Sequence, residues 1–562
     1  MLSLKNLSVG IKNTEPVSKL VDGISLELVK GKCLGLVGET GSGKSLTALS
    51  IMGLLPSQLQ ILEGAIFFDE KNLAEFSNRE RRQWRGSRMS MIFQEPMTAL
   101  NPVMRLGRQV EEVILEHRKT TKKEARKETL ELFRKVKLPR PEIFFSSYPH
   151  QISGGQKQRV MIAMAIANNP GLLIADEPTT ALDVTVQKEI LQLLKRLQKE
   201  HNMAMLFITH DLAVVSEIAD EVAVMYQGKI VEQGPVEQIL KNPQHPYTKG
   251  LMSCRPPVGY RVKKLPTLDD FLNKDKAPPV RETETEVSRK ERLQHLYEKE
   301  PLLEVYGLIK EYPLSKTLLG KPKEILRAVD QVSFKVYPGE TLGLVGESGC
   351  GKTTLGRSLL RLINPDAGSI FFENENLLSL SGKSLNKHRK ELNIVFQDPY
   401  SSLNPRLSVG EAILEPMQVH KLYKNHKERK EKVIELLQKV GLQENHYYRY
   451  PHEFSGGQRQ RIVIARALAL NPKFIVCDEA VSALDVSVQA VVLNLLNDLK
   501  AEFGFTYIFI SHDLSVVRFM ADRIMVMKDG KIIEVGDADE IYFHPKNDYT
   551  RQLIGAIPQL QH

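Results

Sequence analysis

The sequence predicts an α/β protein in which one unit, built on a mostly parallel sheet, occurs twice. Three observations carry that expectation. Phosphate-binding loops stand at Gly38-Glu39-Thr40-Gly41-Ser42-Gly43-Lys44-Ser45 and at Gly346-Glu347-Ser348-Gly349-Cys350-Gly351-Lys352-Thr353. Landmarks downstream of the loops recur at one spacing. Ser153-Gly154-Gly155-Gln156 returns as Ser455-Gly456-Gly457-Gln458, an offset of 302 (455 − 153), and Asp176-Glu177 and His210 return at the same offset as Asp478-Glu479 and His512. Strand-like and helix-like segments alternate through both copies. The loop lysines are 308 apart (352 − 44), so the first copy carries a few extra residues before Ser153. Duplication of whole domains explains such a period, since solenoids repeat about every 20–50 residues.

Each element has a physical reason. The apolar runs Cys33 to Val37 and Thr341 to Val345 read as buried strands feeding the two loops, and a helix start follows each. Gly38, Gly41 and Gly43, with Gly346, Gly349 and Gly351, let the backbone curl so that its N–H groups face a β-phosphate. The helix N-terminus adds its dipole. Lys44 and Lys352 would reach the β- and γ-phosphates, and the Ser45 and Thr353 hydroxyls would ligate Mg²⁺. Leu172 to Ala175 and Phe474 to Cys477 are strand-like runs ending in Asp176-Glu177 and Asp478-Glu479. Each Asp would act on Mg²⁺ and each Glu would polarise the attacking water as general base. An acidic pair capping a strand is the plainer reading of either pair alone. Two pairs, each downstream of a phosphate loop, weaken it.

Met205 to Ile208 reads as another strand, and Val184 to Lys199 and Val486 to Leu499 have helical apolar spacing. The basic stretch Lys119 to Lys137, matched by Val409 to Val440, reads as the wet face of helices. Between the copies, Ala277-Pro278-Pro279 leads into a charge-mixed run from Arg281 to Glu300. Gly259 to Glu300 is expected to be a charged linker with one exposed helix, separating domains at 1–258 and 301–562.

A chain of 562 residues is too long for one core. Apolar content of 42% with 26% charged residues is ordinary for a globular protein. No apolar run approaches the roughly 18 residues that cross a bilayer, and Met1 to Lys5 lacks the profile of a signal peptide. Cys33, Cys254, Cys350 and Cys477 lie far apart, which suits a reducing cytosol better than disulfides or a metal cluster. The net charge of +9 would suit nucleic acid or an anionic membrane face, but a lysine-rich solvated surface explains it as well.

Ser-Gly-Gly-Gln adds a second phosphate grip to each copy: two glycines let a helix N-terminus approach closely, with the serine hydroxyl as a further donor. Since each copy already has a phosphate loop, this grip serves the nucleotide of the other copy. The set comprising the first loop, Gln94, Ser153 to Gln156, Asp176-Glu177, Ala181-Leu182-Asp183 and His210 resembles the nucleotide-binding domain of ABC transporters. So does the set of Gln397, Ser455 to Gln458, Asp478-Glu479, Ala483-Leu484-Asp485 and His512 with the second loop. The resemblance covers nearly everything outside the linker. It implies two tandem ABC-type P-loop ATPase domains, each with a mostly parallel sheet and a helical subdomain, that bind ATP with Mg²⁺ and pair within one chain. Each ATP would lie between the Lys, Asp, Glu, Gln and His of one half and the Ser-Gly-Gly-Gln of the other. Both histidines would contact the γ-phosphate, and Gln94 and Gln397 would sense the Mg²⁺ held by Ser45, Asp176, Thr353 and Asp478. Tyr312 stands where an aromatic residue stacks on adenine in such domains, whereas the first half has Ile11 there. Both sites are expected to hydrolyse.

Gln94-Glu95-Pro96-Met97-Thr98-Ala99-Leu100-Asn101-Pro102 and Gln397-Asp398-Pro399-Tyr400-Ser401-Ser402-Leu403-Asn404-Pro405 resemble the ATPases of oligopeptide and dipeptide importers. So do the tails His245-Pro246-Tyr247-Thr248 and His544-Pro545 with Tyr549-Thr550, shared by the peptide, nickel and glutathione group. A loop that merely closes the domain is the plainer reading of the tails. The expectation is a peptide-import motor at the cytoplasmic face of the inner membrane. Its partners would be two transmembrane permease subunits and, indirectly, an extracytoplasmic substrate-binding protein. No nucleic acid is expected. The alternatives are a soluble twin ATPase acting on ribosomes or nucleic acid, and an exporter motor. Pro278-Pro279 in a charge-mixed linker, with His210 and His512 in place, weighs against the ribosomal reading.

Overall fold

The computed structural model describes all residues except 13–17, 96–98, 181, 274–281, 317–321 and 559–562. Two units divide the chain, one made mainly of Met1–Leu182 and Val186–Met252, the other mainly of Ser253–Ile557.

In the first unit a six-stranded sheet runs in the order Met89–Ile92, Leu172–Asp176, Ala204–Thr209, Cys33–Val37, Glu221–Tyr226, Lys229–Pro235. The first five strands are parallel and the last pairs antiparallel at the edge. Strands buried on both faces need apolar residues at every position, which is why Leu172–Asp176 and Ala204–Thr209 read as unbroken apolar runs. Asp176 is the last residue of its strand, so its carboxylate emerges at the carboxyl edge. Helices Leu106–His117, Lys122–Lys135, Pro141–Ser146 and Gly154–Ile166 form the helical part. The basic run is a helix of the expected kind: Thr121 and Glu124 close a capping box, Ala125, Thr129, Leu132 and Phe133 are buried, and the lysines face outward.

A second, antiparallel sheet was not anticipated. It runs Lys19–Leu28, Leu2–Ile11, Leu59–Phe68, Lys71–Asn72. Register shifts between Leu4 and Leu7 and between Leu7 and Val9 break the period-two alternation that would have revealed it.

The second unit repeats both sheets. The core order is Leu392–Val395, Phe474–Asp478, Thr506–Ile510, Thr341–Val345, Arg523–Lys528, Lys531–Asp537, and Leu303–Lys316 pairs with Pro322–Val336 and Ala367–Phe372. Helices Val409–Val419, His426–Lys439 and Gly456–Leu468 repeat the helical part.

Much of the segment expected as a linker packs within the second unit. Lys263 N–H donates to the Glu282 carbonyl and Glu284 N–H to the Arg261 carbonyl, forming a short antiparallel bridge. The Asn494 side-chain amide brackets the Leu265 backbone, accepting from its N–H and donating to its carbonyl at 2.8 Å each. Val262 and Leu265 join the apolar core of that unit. The helix Glu286–Tyr297 buries Arg289, Leu293 and Leu296 instead of lying exposed. Arg289 contacts Asp537 at 2.8 Å and Asp539 at 3.1 Å, and Arg292 contacts Asp522 at 2.7 Å. These arginines looked solvated in sequence because their acidic partners lie more than two hundred residues away.

Among the described residues no helix is long and apolar enough to cross a membrane.

Candidate functional site

The first loop leaves the strand Cys33–Val37 and enters the helix Lys44–Met52 through Gly43, whose φ of 106° is open to glycine alone. A Cβ on Gly43 would also sit 2.7 Å from the Met225 side chain. Gly351 does the same before the helix Lys352–Leu359, at φ 110° and with the Ala328 carbonyl in the way of any Cβ. Both lysines are buried against their own loop. Lys44 Nζ donates to the Gly38 and Glu39 carbonyls at 2.7 and 2.8 Å, and Lys352 Nζ to the Gly346 and Glu347 carbonyls at 2.7 and 2.9 Å.

Ser45 Oγ donates to Asp176 at 3.2 Å and Thr353 Oγ1 to Asp478 at 2.9 Å. A hydroxyl and a carboxylate so close form a hard oxygen pair of the type that holds a divalent cation. Burial raises the Asp176 carboxyl to about 6, with the neighbouring Glu177 charge adding to it, against the Ser45 hydrogen bond. Asp478 is raised for the same first reason, burial.

Glu177 collects three contacts at one oxygen. Thr180 Oγ1 donates at 2.8 Å, Gln94 Nε2 donates at 3.2 Å and His210 Nδ1 lies at 3.3 Å. Burial opposes its ionisation, but the hydrogen bond and charge of His210 outweigh that and hold the carboxyl at about 2. In the second unit Gln397 Nε2 donates to Glu479 at 2.8 Å and His512 Nδ1 lies at 3.6 Å. Burial again works against both charges, yet each partner wins for the other: Glu479 is lowered and His512 raised. Both glutamates have left-handed backbones, φ 46° at Glu177 and φ 49° at Glu479. Such a conformation costs a side-chain-bearing residue roughly 1–2 kcal/mol.

Lys44, Ser45, Gln94, Asp176, Glu177 and His210 thus converge within the first unit, and Lys352, Thr353, Gln397, Asp478, Glu479 and His512 within the second. Among the described residues, Ser153 to Gln156 make no hydrogen bond to the cluster of their own unit. Ser153 Oγ accepts the Gln156 N–H at 3.4 Å while Gln156 accepts the Ser153 N–H at 2.9 Å, a capping box on the helix Gly154–Ile166. Ser455 and Gln458 repeat it. The glycines divide their work. A Cβ on Gly155 would lie 2.6 Å from Val186, and one on Gly457 2.2 Å from Val488, so these glycines permit helix packing. Gly154 and Gly456 meet nothing closer than 3.8 Å and leave their helix N-termini open.

Ile11 and Tyr312 hold matching places. Leu2 pairs with Phe68 as Leu303 pairs with Phe372, and both residues stand equally far along their strands. Both are half-buried, and the Lys310 ammonium lies 5.4 Å from the Tyr312 ring centre. Pro96 to Thr98 and Ala181 lie outside the described residues.

Sequence reasoning missed the tail tyrosines. Tyr247 is fully buried and its hydroxyl accepts the N–H of Glu39, inside the first phosphate loop, at 3.0 Å. Tyr549 accepts the N–H of Glu347 at 3.1 Å. The repeated Pro-Tyr-Thr and Tyr-Thr of the tails was the available signal.

The chain matches the family model described as ABC transporter at residues 21–180 and 329–482. It matches the model described as oligopeptide/dipeptide transporter, C-terminal region, at residues 231–276 and 533–562. It is similar to the glutathione import ATP-binding protein GsiA of Escherichia coli O157:H7, at 46% identity over 569 residues, 99% of this chain and 89% of the relative. The GsiA protein of Salmonella choleraesuis (strain SC-B67) is 46% identical over 565 residues with the same coverage. A dimeric bacterial ABC transporter cassette of known structure is 29% identical, covering 42% of this chain and 99% of that one, with a TM-score of 0.39.

Proposed function

We propose, from the premise that this chain belongs to the ABC transporter family, that it is the ATP-hydrolysing motor of an importer for peptide-type substrates. The observation that carries the reading is the duplicated cluster of loop lysine, hydroxyl–aspartate pair and glutamate–histidine pair, each followed by a region that matches peptide transporters.

Lys44 and Lys352 neutralise the β- and γ-phosphates of ATP. Ser45 with Asp176, and Thr353 with Asp478, hold Mg²⁺, which when bound would offset charge on the phosphates. Glu177 and Glu479 accept the proton of the attacking water, and His210 and His512 steer the γ-phosphate. While the imidazole holds the glutamate, the carboxylate is a weak base. It strengthens as the imidazole turns toward phosphate, which ties base activation to a correctly seated nucleotide. Gln94 and Gln397, exposed at one end and bonded to the base at the other, would relay that state to a membrane partner. A cleft of about 580 Å³ beside Gln397, lined by Arg357, Leu362, Phe396 and Ser402, is suited to a helix of such a partner.

A proton must leave Asp176 before Mg²⁺ can bind. Mg²⁺-dependent ATP binding is therefore expected to weaken as pH falls through about 6, with proton release on binding near that pH. Calorimetry in buffers of different ionisation enthalpy measures that release, and none at pH 6 would remove Asp176 from the metal site.

The motor would sit at the cytoplasmic face of the inner membrane on two permease subunits, fed by an extracytoplasmic binding protein. Glutathione, the substrate named for the relatives, is the first cargo to test. Affinity purification from gently solubilised native membranes should recover two multi-span proteins. Recovery of ribosomal proteins without membrane partners would overturn the importer reading and leave a twin ATPase.

A further inference from the structure

We infer that Tyr247 and Tyr549 are positioning residues for ATP binding, each fixing the peptide plane on which the phosphate-binding lysine of its unit is anchored. The inference rests on the reading of Lys44 and Lys352 as those lysines.

The geometry is that of a bracket around one peptide group. The Gly38 carbonyl and the Glu39 N–H belong to the same planar unit. Lys44 Nζ donates to the carbonyl at 2.7 Å, and the Tyr247 hydroxyl accepts from the N–H at 3.0 Å. In the second unit Lys352 Nζ meets the Gly346 carbonyl at 2.7 Å and Tyr549 meets the Glu347 N–H at 3.1 Å. Rotation of that plane would move the lysine's anchor, and the tyrosine is the contact that resists rotation from the opposite edge. The loop backbone passes too close to its neighbour here for any side chain. A Cβ on Gly38 would lie 2.2 Å from the Met225 carbonyl, and one on Gly346 equally close to that of Met527.

Each tyrosine is itself held by the tail. Glu232 accepts the N–H groups of Gln244 and His245 at 2.7 and 3.1 Å, which fixes the start of the helix Pro246–Ser253. Glu534 accepts those of Lys546 and Asn547 at 2.7 and 3.3 Å. The surroundings of the two rings differ. Tyr247 packs on Tyr226 with centroids 4.3 Å apart, whereas Tyr549 has the Lys528 ammonium 4.8 Å from its ring centre. The hydroxyl-to-loop hydrogen bond is common to both. A tyrosine that only filled core space would not need its oxygen at the same amide twice. The tail that accompanies the peptide-transporter match thereby becomes part of the nucleotide site, a physical route between the tail and ATP affinity.

The test is the full chain carrying Tyr247→Phe and Tyr549→Phe together, so that neither site masks the other. Phenylalanine keeps the ring and removes the hydroxyl, the acceptor of the loop N–H. Expected results are faster amide hydrogen exchange in the peptides spanning Gly38 to Lys44 and Gly346 to Lys352, and ATP affinity lower by about fivefold, the worth of one hydrogen bond. The melting midpoint should stay near the parent's. Unchanged loop exchange and unchanged ATP affinity would overturn the inference. So would a lower melting midpoint with faster exchange spread over each whole unit, which is the behaviour of a core side chain alone. The exchange measurement needs no bound ATP, so it separates this inference from the ATPase reading. A parent chain whose loops gain no protection from ATP would sink both.

Discussion

A chain carrying Glu177→Gln and Glu479→Gln is expected to bind ATP as the parent does and to hydrolyse it roughly 10²- to 10⁴-fold more slowly, the usual worth of a positioned general base. Glutamine keeps the shape and an acceptor oxygen for Thr180 and Gln94, so the surrounding hydrogen bonds survive. It cannot take the proton of water. Equilibrium binding and single-turnover hydrolysis on the same preparation separate the two effects. Sustained turnover by the double variant would refute the assignment of both bases. Glycine at the same two positions sharpens the case. The left-handed backbone at φ 46° and 49° is strained for glutamate and free for glycine. The glycine variant should lose turnover yet melt no lower than the parent, as expected where a catalytic side chain is held at a cost in stability. Glu177, held at about 2, is ionised throughout the neutral range. At limiting Mg²⁺ the acid limb of ATP binding should accordingly follow Asp176 near 6.

Much of this site was legible because its chemistry is local in sequence. The phosphate loops, Asp176-Glu177 and Asp478-Glu479 are contiguous motifs at strand ends, and the strands Cys33–Val37 and Thr341–Val345 have the bounds their apolar runs imply. What escaped was set by partners far along the chain. Arg289 and Arg292 look like solvated charges until Asp537 and Asp522 arrive from the far end of the unit. Gly155 looks like a phosphate-approach glycine, while the residue that demands it is Val186. Tyr247 looks like part of a closing loop, and the amide it serves lies over two hundred residues earlier. The antiparallel sheet was hidden by a different cause, the bulges that scramble its alternation. Pattern reading captures periodicity and short motifs; it has no access to pairings that only tertiary structure creates.

Those long-range pairings set the second expected result, in which one aspartate has unequal worth in the two units. Asp522 is 3% exposed and accepts from the Thr341 N–H at 2.8 Å, from Arg292 at 2.7 Å and from Lys500 at 3.3 Å. Burial opposes its charge, but Lys500 and Arg292 prevail and hold the carboxyl well below the usual carboxylate range. Asp220 has the corresponding place in the first unit. It accepts the Cys33 N–H at 2.8 Å but stands exposed, with Lys32 at 3.4 Å as its ion-pair partner. Asp522→Ala would leave Lys500 largely buried without its carboxylate, while Arg292, 43% exposed, keeps Glu284, at a cost of about 2–4 kcal/mol after screening. Asp220→Ala should cost about 1 kcal/mol, one hydrogen bond and little from an exposed ion pair. At roughly 2–4 °C per kcal/mol for a unit of this size, the first change should lower the melting of its unit by about 10 °C and the second by a few degrees. Because the folded carboxyl is depressed, Asp522 contributes its stability above the unfolded value near 4. That contribution is lost only as pH falls through the folded value. The difference between parent and Asp522→Ala should therefore hold across neutral pH and shrink only in strong acid. Adding Arg292→Ala to Asp522→Ala should cost less than the two single changes summed, since without the aspartate the arginine keeps only its ion pair with Glu284. Equal costs at Asp522 and Asp220, or strict additivity with Arg292, would mean that the segment 282–297 merely lies on the second unit. The unequal result would mean that it completes the fold beside the strand that feeds the second phosphate loop.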